Sequence, residues 1–298
     1  MRYFLCIFLL AFGLSSRAQV LHPKGLPDYE LELASMGDKV ITSKTEEDRI
    51  KVNGEFKDLL MEALQIEKSI EYPFESVKNL SKQIVIPGKL RLFTWVVPLK
   101  DGTYQYFGFV MIIDRKNEIK VNPLEDRSSE MASPAYDWLK PSKWYGAIYY
   151  DVIEVKGKGK KYYTLLGYRP GDKKVQEKLI DVITYDGKNV RFGAKIFETP
   201  KISDYQYKQR PYRLLFPYSN KVTASIKWHE DLEKIVMDHL SPPDASLKGK
   251  WEFYGPDFSY DAFFWKKGKW HLEEMVEFNT ELKTVTPKEK PKQGLGEK

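Results

Sequence analysis

Residues 144–168 read WYGAIYYDVIEVKGKGKKYYTLLGY, and this stretch decides the fold class. Apolar and aromatic residues run from Trp144 to Val155 and again from Tyr162 to Tyr168. Between them, LysGlyLysGlyLysLys at 156–161 supplies charge and glycine. Two runs rich in β-branched and aromatic residues, joined by a short glycine-containing loop, are the signature of a β-hairpin. So short a loop cannot carry a crossover helix, so the two strands are antiparallel.

The same texture extends in both directions. Strand-like runs cover Leu90 to Val97, Tyr104 to Ile113, Leu179 to Tyr185, Val190 to Phe197, Tyr212 to Phe216 and Val222 to Trp228. Further runs are Ile235 to Met237, Trp251 to Tyr254, Ala262 to Trp265 and Trp270 to Leu272. Hairpin joints are expected at 114–117, 156–160, 186–189, 230–233 and 266–269. Asp186-Gly187 is the strongest, because that pair suits a turn with positive φ. The joints recur at intervals of about 40 residues, a weak repeat of three or four strands per unit. The expected class is all-β: an antiparallel meander, either degenerate propeller-like or a large sandwich.

One helix is expected in front of the strands. Phe56, Leu59, Leu60, Ala63, Leu64 and Ile66 recur at steps of three and four, with acids and Lys57 on the other face. That predicts an amphipathic helix over about 55–70, with Asn53 as its cap and Pro73 near its end. Residues 19–53 read as an irregular lead-in, with short strands at Leu31, Leu33, Val40 and Ile41. The main β domain then runs over 54–280. From 281 to 298 the chain is rich in lysine, proline and glycine, and is expected to be a flexible basic tail.

The first 18 residues read as a secretory signal peptide. Arg2 precedes an apolar core from Tyr3 to Leu14, and Ser16-Arg17-Ala18 puts small residues at the cleavage site. The core is too short to span a bilayer. Cleavage would leave Gln19 first and remove Cys6, the only cysteine. The mature chain would then have no disulfide and no thiol chemistry. No Cys stands at the cut, so a lipoprotein is not expected. The expected location is the periplasm or the exterior, with no transmembrane segment in the mature chain.

Net charge is +6, falling to about +4 once Arg2 and Arg17 are removed. Acids are interspersed throughout, and no concentrated basic face marks nucleic-acid binding. The 156–161 run reads as a solvated hairpin loop.

Catalytic signatures are sparse. There is no GxSxG elbow, HExxH helix or phosphate-cradling loop, and no cofactor or metal motif. The mature histidines, His22, His229, His239 and His271, do not pair at short spacing. The segment 236–261 concentrates acids, rings and prolines. Asp238 and His239 form one candidate pair, although neighbouring strand residues point to opposite faces. Asp257 and Asp261 are candidates for a carboxylate pair in glycoside hydrolysis or for calcium ligation. An ordinary turn role for Asp257 competes with both. Tyr254, Tyr260 and Trp265 are candidate ligand-stacking rings.

Several segments resemble a family of uncharacterised secreted proteins of Bacteroidota. They are TyrTyrThrLeuLeuGlyTyr at 162–168, LeuIleAspValIle at 179–183 and ArgPheGlyAlaLysIlePhe at 191–197. IleValMetAspHisLeuSerPro at 235–242 and PheTyrGlyProAspPheSerTyrAspAlaPhe at 253–263 are the more specific ones. PheThrTrp at 93–95 and TyrPheGlyPhe at 106–109 add to them, and the likeness covers roughly residues 50–280. It implies a Gram-negative envelope or extracellular setting and brings no catalytic residue with it.

The functional expectation is an exported, non-catalytic protein that binds a ligand or serves envelope assembly. Its partner would be a glycan, a peptide or an envelope protein, met on a shallow face lined by rings. The alternative is a glycan-directed hydrolase that uses carboxylates of the 238–261 segment in a deep cleft.

Overall fold

The computed structural model describes residues 24–198, 207 and 209–276. The expected leader (1–18) and tail (281–298) lie outside the described residues. Where one helix was expected there are two, α1 (Leu26–Thr42) and α2 (Glu46–Leu64). Leu33, Gly37 and Val40, read as part of an irregular lead-in, are buried along one side of α1. Pro27 sits in its first turn, where a missing N–H costs nothing. Asp28 there accepts the Gly25 amide at 3.1 Å. The cap of α2 is Thr45, which accepts Asp48 N–H at 3.0 Å. Asn53 is therefore not a cap. It lies inside α2, and its Oδ1 accepts the buried Trp95 indole at 2.7 Å.

The strands form three sheets. The first is a four-stranded meander of β1 (Ser81–Ile86), β2 (Leu90–Pro98), β3 (Tyr104–Ile113) and β4 (Ile119–Glu125). The second contains β5 (Ile148–Gly157), β6 (Lys160–Arg169), β7 (Val175–Tyr185), β8 (Val190–Phe192) and β10 (Leu214–Ser219). Its order is β10-β7-β6-β5, with β8 also on β7. The third has the order β11-β12-β13-β14-β9, built from β9 (Phe197–Glu198), β11 (Ile226–His229), β12 (Lys234–Ser241), β13 (Gly255–Lys266) and β14 (Lys269–Val276). All pairings are antiparallel except β14 with β9. Trp251–Phe253, expected as a strand, is a 3₁₀ turn.

Period-two alternation explains the layering. Along β2, Phe93, Trp95 and Val97 pack with the helices, while Leu90 and Leu92 pack toward the second sheet. Along β6 and β7, Tyr163, Leu165, Leu179 and Ile183 face the first sheet, and Leu166, Ile180 and Val182 face the third. Strands buried on both faces need near-continuous apolar runs, and these are the runs the sequence carries. Polar links cross each interface. Thr94 Oγ1 accepts the Tyr149 amide at 3.2 Å, and Thr164 Oγ1 accepts the Trp270 indole at 2.9 Å. Inside the second sheet, Arg213 and Asp181 form a fully buried ion pair at 3.1 Å.

All five expected hairpin joints connect strands. Those at 114–117, 156–160, 186–189, 230–233 and 266–269 close the antiparallel pairs β3–β4, β5–β6, β7–β8, β11–β12 and β13–β14. Gly187 has φ of 90°, the conformation its Asp-Gly pair announced.

Candidate functional site

The acid-rich segment lies on β12 and β13 of the third sheet. A bulge interrupts their register between Asp238 and Leu240. Met237 and Leu240 both enter the core shared with the second sheet. The extra residue lets Asp238 and His239 leave that core. They then take different partners. Asp238 Oδ2 accepts the Ser225 amide of the neighbouring loop at 2.7 Å. His239 Nδ1 lies 2.8 Å from Asp261 Oδ2, and its Nε2 lies 3.9 Å from Asp257 Oδ2. An Asp238/His239 pair does not form, while His239, Asp257 and Asp261 come together.

The two carboxylates are already occupied. Asp261, buried, accepts the Met275 amide on Oδ1 at 3.0 Å and contacts His239 with Oδ2. A second bulge, between Tyr260 and Ala262 against β14, creates that contact. Asp257 Oδ1 accepts the Ser259 hydroxyl at 2.6 Å and its amide at 3.1 Å, and Oδ2 accepts Ser241 Oγ at 3.0 Å. The hydrogen bond to Asp261 raises the His239 pKa above its ordinary value, against the opposing effect of burial. Burial pushes Asp257 up, but Ser259, Ser241 and His239 outweigh it and hold the carboxyl below its ordinary value. Glycoside hydrolysis needs open space for a sugar between its carboxylates. Here the His239 imidazole fills that space. The cluster clasps β12, β13 and β14 together. Among the described residues, no group of three or more His, Cys, Asp or Glu is arranged to hold a metal ion.

The three candidate rings separate. Tyr254 is fully buried, and its hydroxyl accepts the Gly249 amide at 3.0 Å, so it is no ligand platform. Tyr260 is half-buried on β13. Trp265 lines an open cleft of about 650 Å³ between the second and third sheets, together with Trp228, Phe264 and Leu232. The indole is anchored from behind. Nε1 donates to the Lys156 carbonyl at 2.9 Å, and the ring lies 5.3 Å from Trp270 and 6.5 Å from Tyr162.

A second cleft of about 650 Å³ lies on the other side of the β5–β6 hairpin, between that hairpin and the β7–β8 hairpin. Tyr162, Tyr185 and Arg191 are on its walls. A third, of about 460 Å³, lies beyond the β7–β8 hairpin, against β4 and the 140–142 turn. Sequence reasoning did not find these clefts. The lysine-rich hairpin at 156–161 was their available signal, and it read as a solvated loop.

A fourth cleft, about 770 Å³, runs along β3, β4 and the 125–129 loop. Its polar groups serve the fold. Arg169 is sandwiched between the rings of Tyr106 and Tyr145 at 4.4 and 4.1 Å, and donates to Gly146 and Ser128. Glu177 behind it accepts Tyr145 OH at 2.9 Å, and burial raises its pKa. Asp126 Oδ1 accepts the Ser128 and Gly146 amides.

No helix among the described residues is long and apolar enough to cross a membrane. Compared with protein-family models, with curated proteins and with solved structures, the chain matches none.

Proposed function

We propose that this is an exported, non-catalytic protein of the bacterial envelope that binds a glycan on the end of the fold where its sheet interfaces open. The observation that carries the reading is the ring-lined cleft of Trp228, Phe264 and Trp265. Aromatic surfaces fixed from behind offer large contact area at little entropic cost. Trp265 is fixed in this way by Lys156, Trp270 and Tyr162. The self-satisfied carboxylates of the His239 cluster support binding over hydrolysis. The leader at residues 1–18 supports export. We also read the succession of sheets as nearer to an open propeller than to a sandwich, because a sandwich has one sheet–sheet interface and this chain has two.

Titration of the mature chain with a panel of polysaccharides, followed by tryptophan fluorescence and calorimetry, tests the reading. At least one polymer should bind saturably, and Trp265→Ala should weaken it by about tenfold, the worth of one aromatic anchor. Saturable binding by none of them, or an unchanged affinity for Trp265→Ala, would count against it.

A further inference from the structure

The two clefts flanking the β7–β8 hairpin share a charge pattern that points to the kind of polymer they take. We infer that this surface binds an acidic polysaccharide, a sugar chain carrying carboxylate or sulfate groups. The inference rests on the glycan-binding reading above and narrows it.

Six cations carry the argument: Lys89, Arg115, Lys140, Lys160, Lys188 and Arg191. All six are exposed. Lys89, Lys160 and Arg191 line the middle cleft, and Lys140, Lys188 and Arg191 line the one beyond. Arg115 reaches across from the β3–β4 hairpin to lie against Gly187. None of the six has an ion-pair partner among the described residues. Three of the neighbouring acids are ion-paired, and Asp186 keeps its charge within its own turn. Glu154 pairs with Lys161 at 2.8 Å, Asp114 with Lys120 at 2.6 Å and Glu125 with Arg127 at 3.2 Å. Asp186 accepts the Lys188 and Asn189 amides and the Asn189 side chain within its own turn. Positive charge is thus left over on this surface although acids are present there. Unpaired cations around clefts attract and steer anionic ligands.

The layout favours a chain over a compact anion. Asn189 and Arg191 line both basic clefts, so a ligand occupying both must pass over the β7–β8 hairpin. Across the β5–β6 hairpin, Val155 pairs with Tyr162 and Lys156 with Lys161. This joins the middle cleft to the Trp265 cleft on the opposite side. Rings accompany the charges. Trp138 is 45% exposed, with Arg191 Cζ at 5.0 Å and Lys140 Nζ at 5.9 Å. Single-stranded nucleic acid is favoured by successive open ring faces along a basic groove. Here the rings on the middle cleft, Tyr162 and Tyr185, are half-buried.

The test uses the mature chain and polymers that differ in charge alone. Polygalacturonate is compared with its fully methyl-esterified form by calorimetry. Dextran sulfate against dextran repeats the comparison with sulfate, and single-stranded DNA supplies a polyanion of another class. At least one acidic sugar polymer should bind about tenfold or more tightly than its neutral partner, and should weaken steeply between about 0.05 and 0.5 M salt. The triple variant K140Q/K188Q/R191Q should lose about tenfold of that affinity, whereas K44Q/K51Q on the helical side should lose none. Circular dichroism checks that both variants fold. Which acidic polymer wins separates carboxylate from sulfate. Equal binding of neutral and acidic polymers would overturn this inference and leave the glycan reading standing. Tighter binding of DNA would overturn it by class. Binding of no polymer would overturn both.

Discussion

His239 shows how one residue can carry a catalytic look and a structural role. Its position beside Asp238 suggests a pair, but a bulge turns the two apart, and His239 meets carboxylates from β13 instead. Its pKa is raised by Asp261, so its contribution to stability is complete below the ordinary value of 6.5 and fades as pH rises through the folded-state value. Asp257 is held low, so its contribution is present above its ordinary value of 3.8 and fades as pH falls through the folded-state value. The clasp is therefore strongest between those two ordinary values. His239→Gln should cost about 1 kcal/mol near pH 5.5 and less near pH 8.5, measured by urea unfolding at both. A cost that grows with pH would contradict the assignment. The sequence exposed which residues belong here, since His239, Asp257 and Asp261 were all candidates. It did not expose their roles, because a bulge leaves no local signal that reveals which way a side chain turns.

At the scale of elements, hairpins were legible and the N-terminal helices only partly. Gly187 and Gly268 sit at positive φ in tight turns, and turn chemistry of that kind is local. Leu33, Gly37 and Val40 of α1 are spaced for a helix. Prolines nearby and β-branched neighbours at Val40 and Ile41 favour a strand reading that only docking on the first sheet overrides. Asn53 was misplaced for a related reason. A polar residue before an apolar periodic run is a good cap, but this one serves a tertiary partner. It accepts the Trp95 indole at 2.7 Å in a buried seam between α2 and β2. Asn53→Ala leaves that indole without its acceptor and should cost about 1–3 kcal/mol in chemical denaturation. An unchanged unfolding midpoint would show that the seam does not depend on this bond.

At the scale of the molecule, the helix pair and three sheets stack through three apolar cores, and the function we propose lies where the sheet interfaces open. The largely antiparallel β architecture followed from alternation and turns. The clefts did not, because they are assembled from segments far apart in the chain: 86–89, 140–142, 156–163, 184–191 and 228–233. Each segment alone is an ordinary solvated loop, and only packing places their rings and cations side by side. Hydrogen–deuterium exchange of the protein, with and without its best-binding polysaccharide, tests this placement most directly. The account predicts added protection within residues 153–163, 184–191, 226–233 and 262–266, with little change in α1, α2 or the 238–241 bulge. Protection centred on His239, Asp257 and Asp261, with none at the two hairpins, would contradict it.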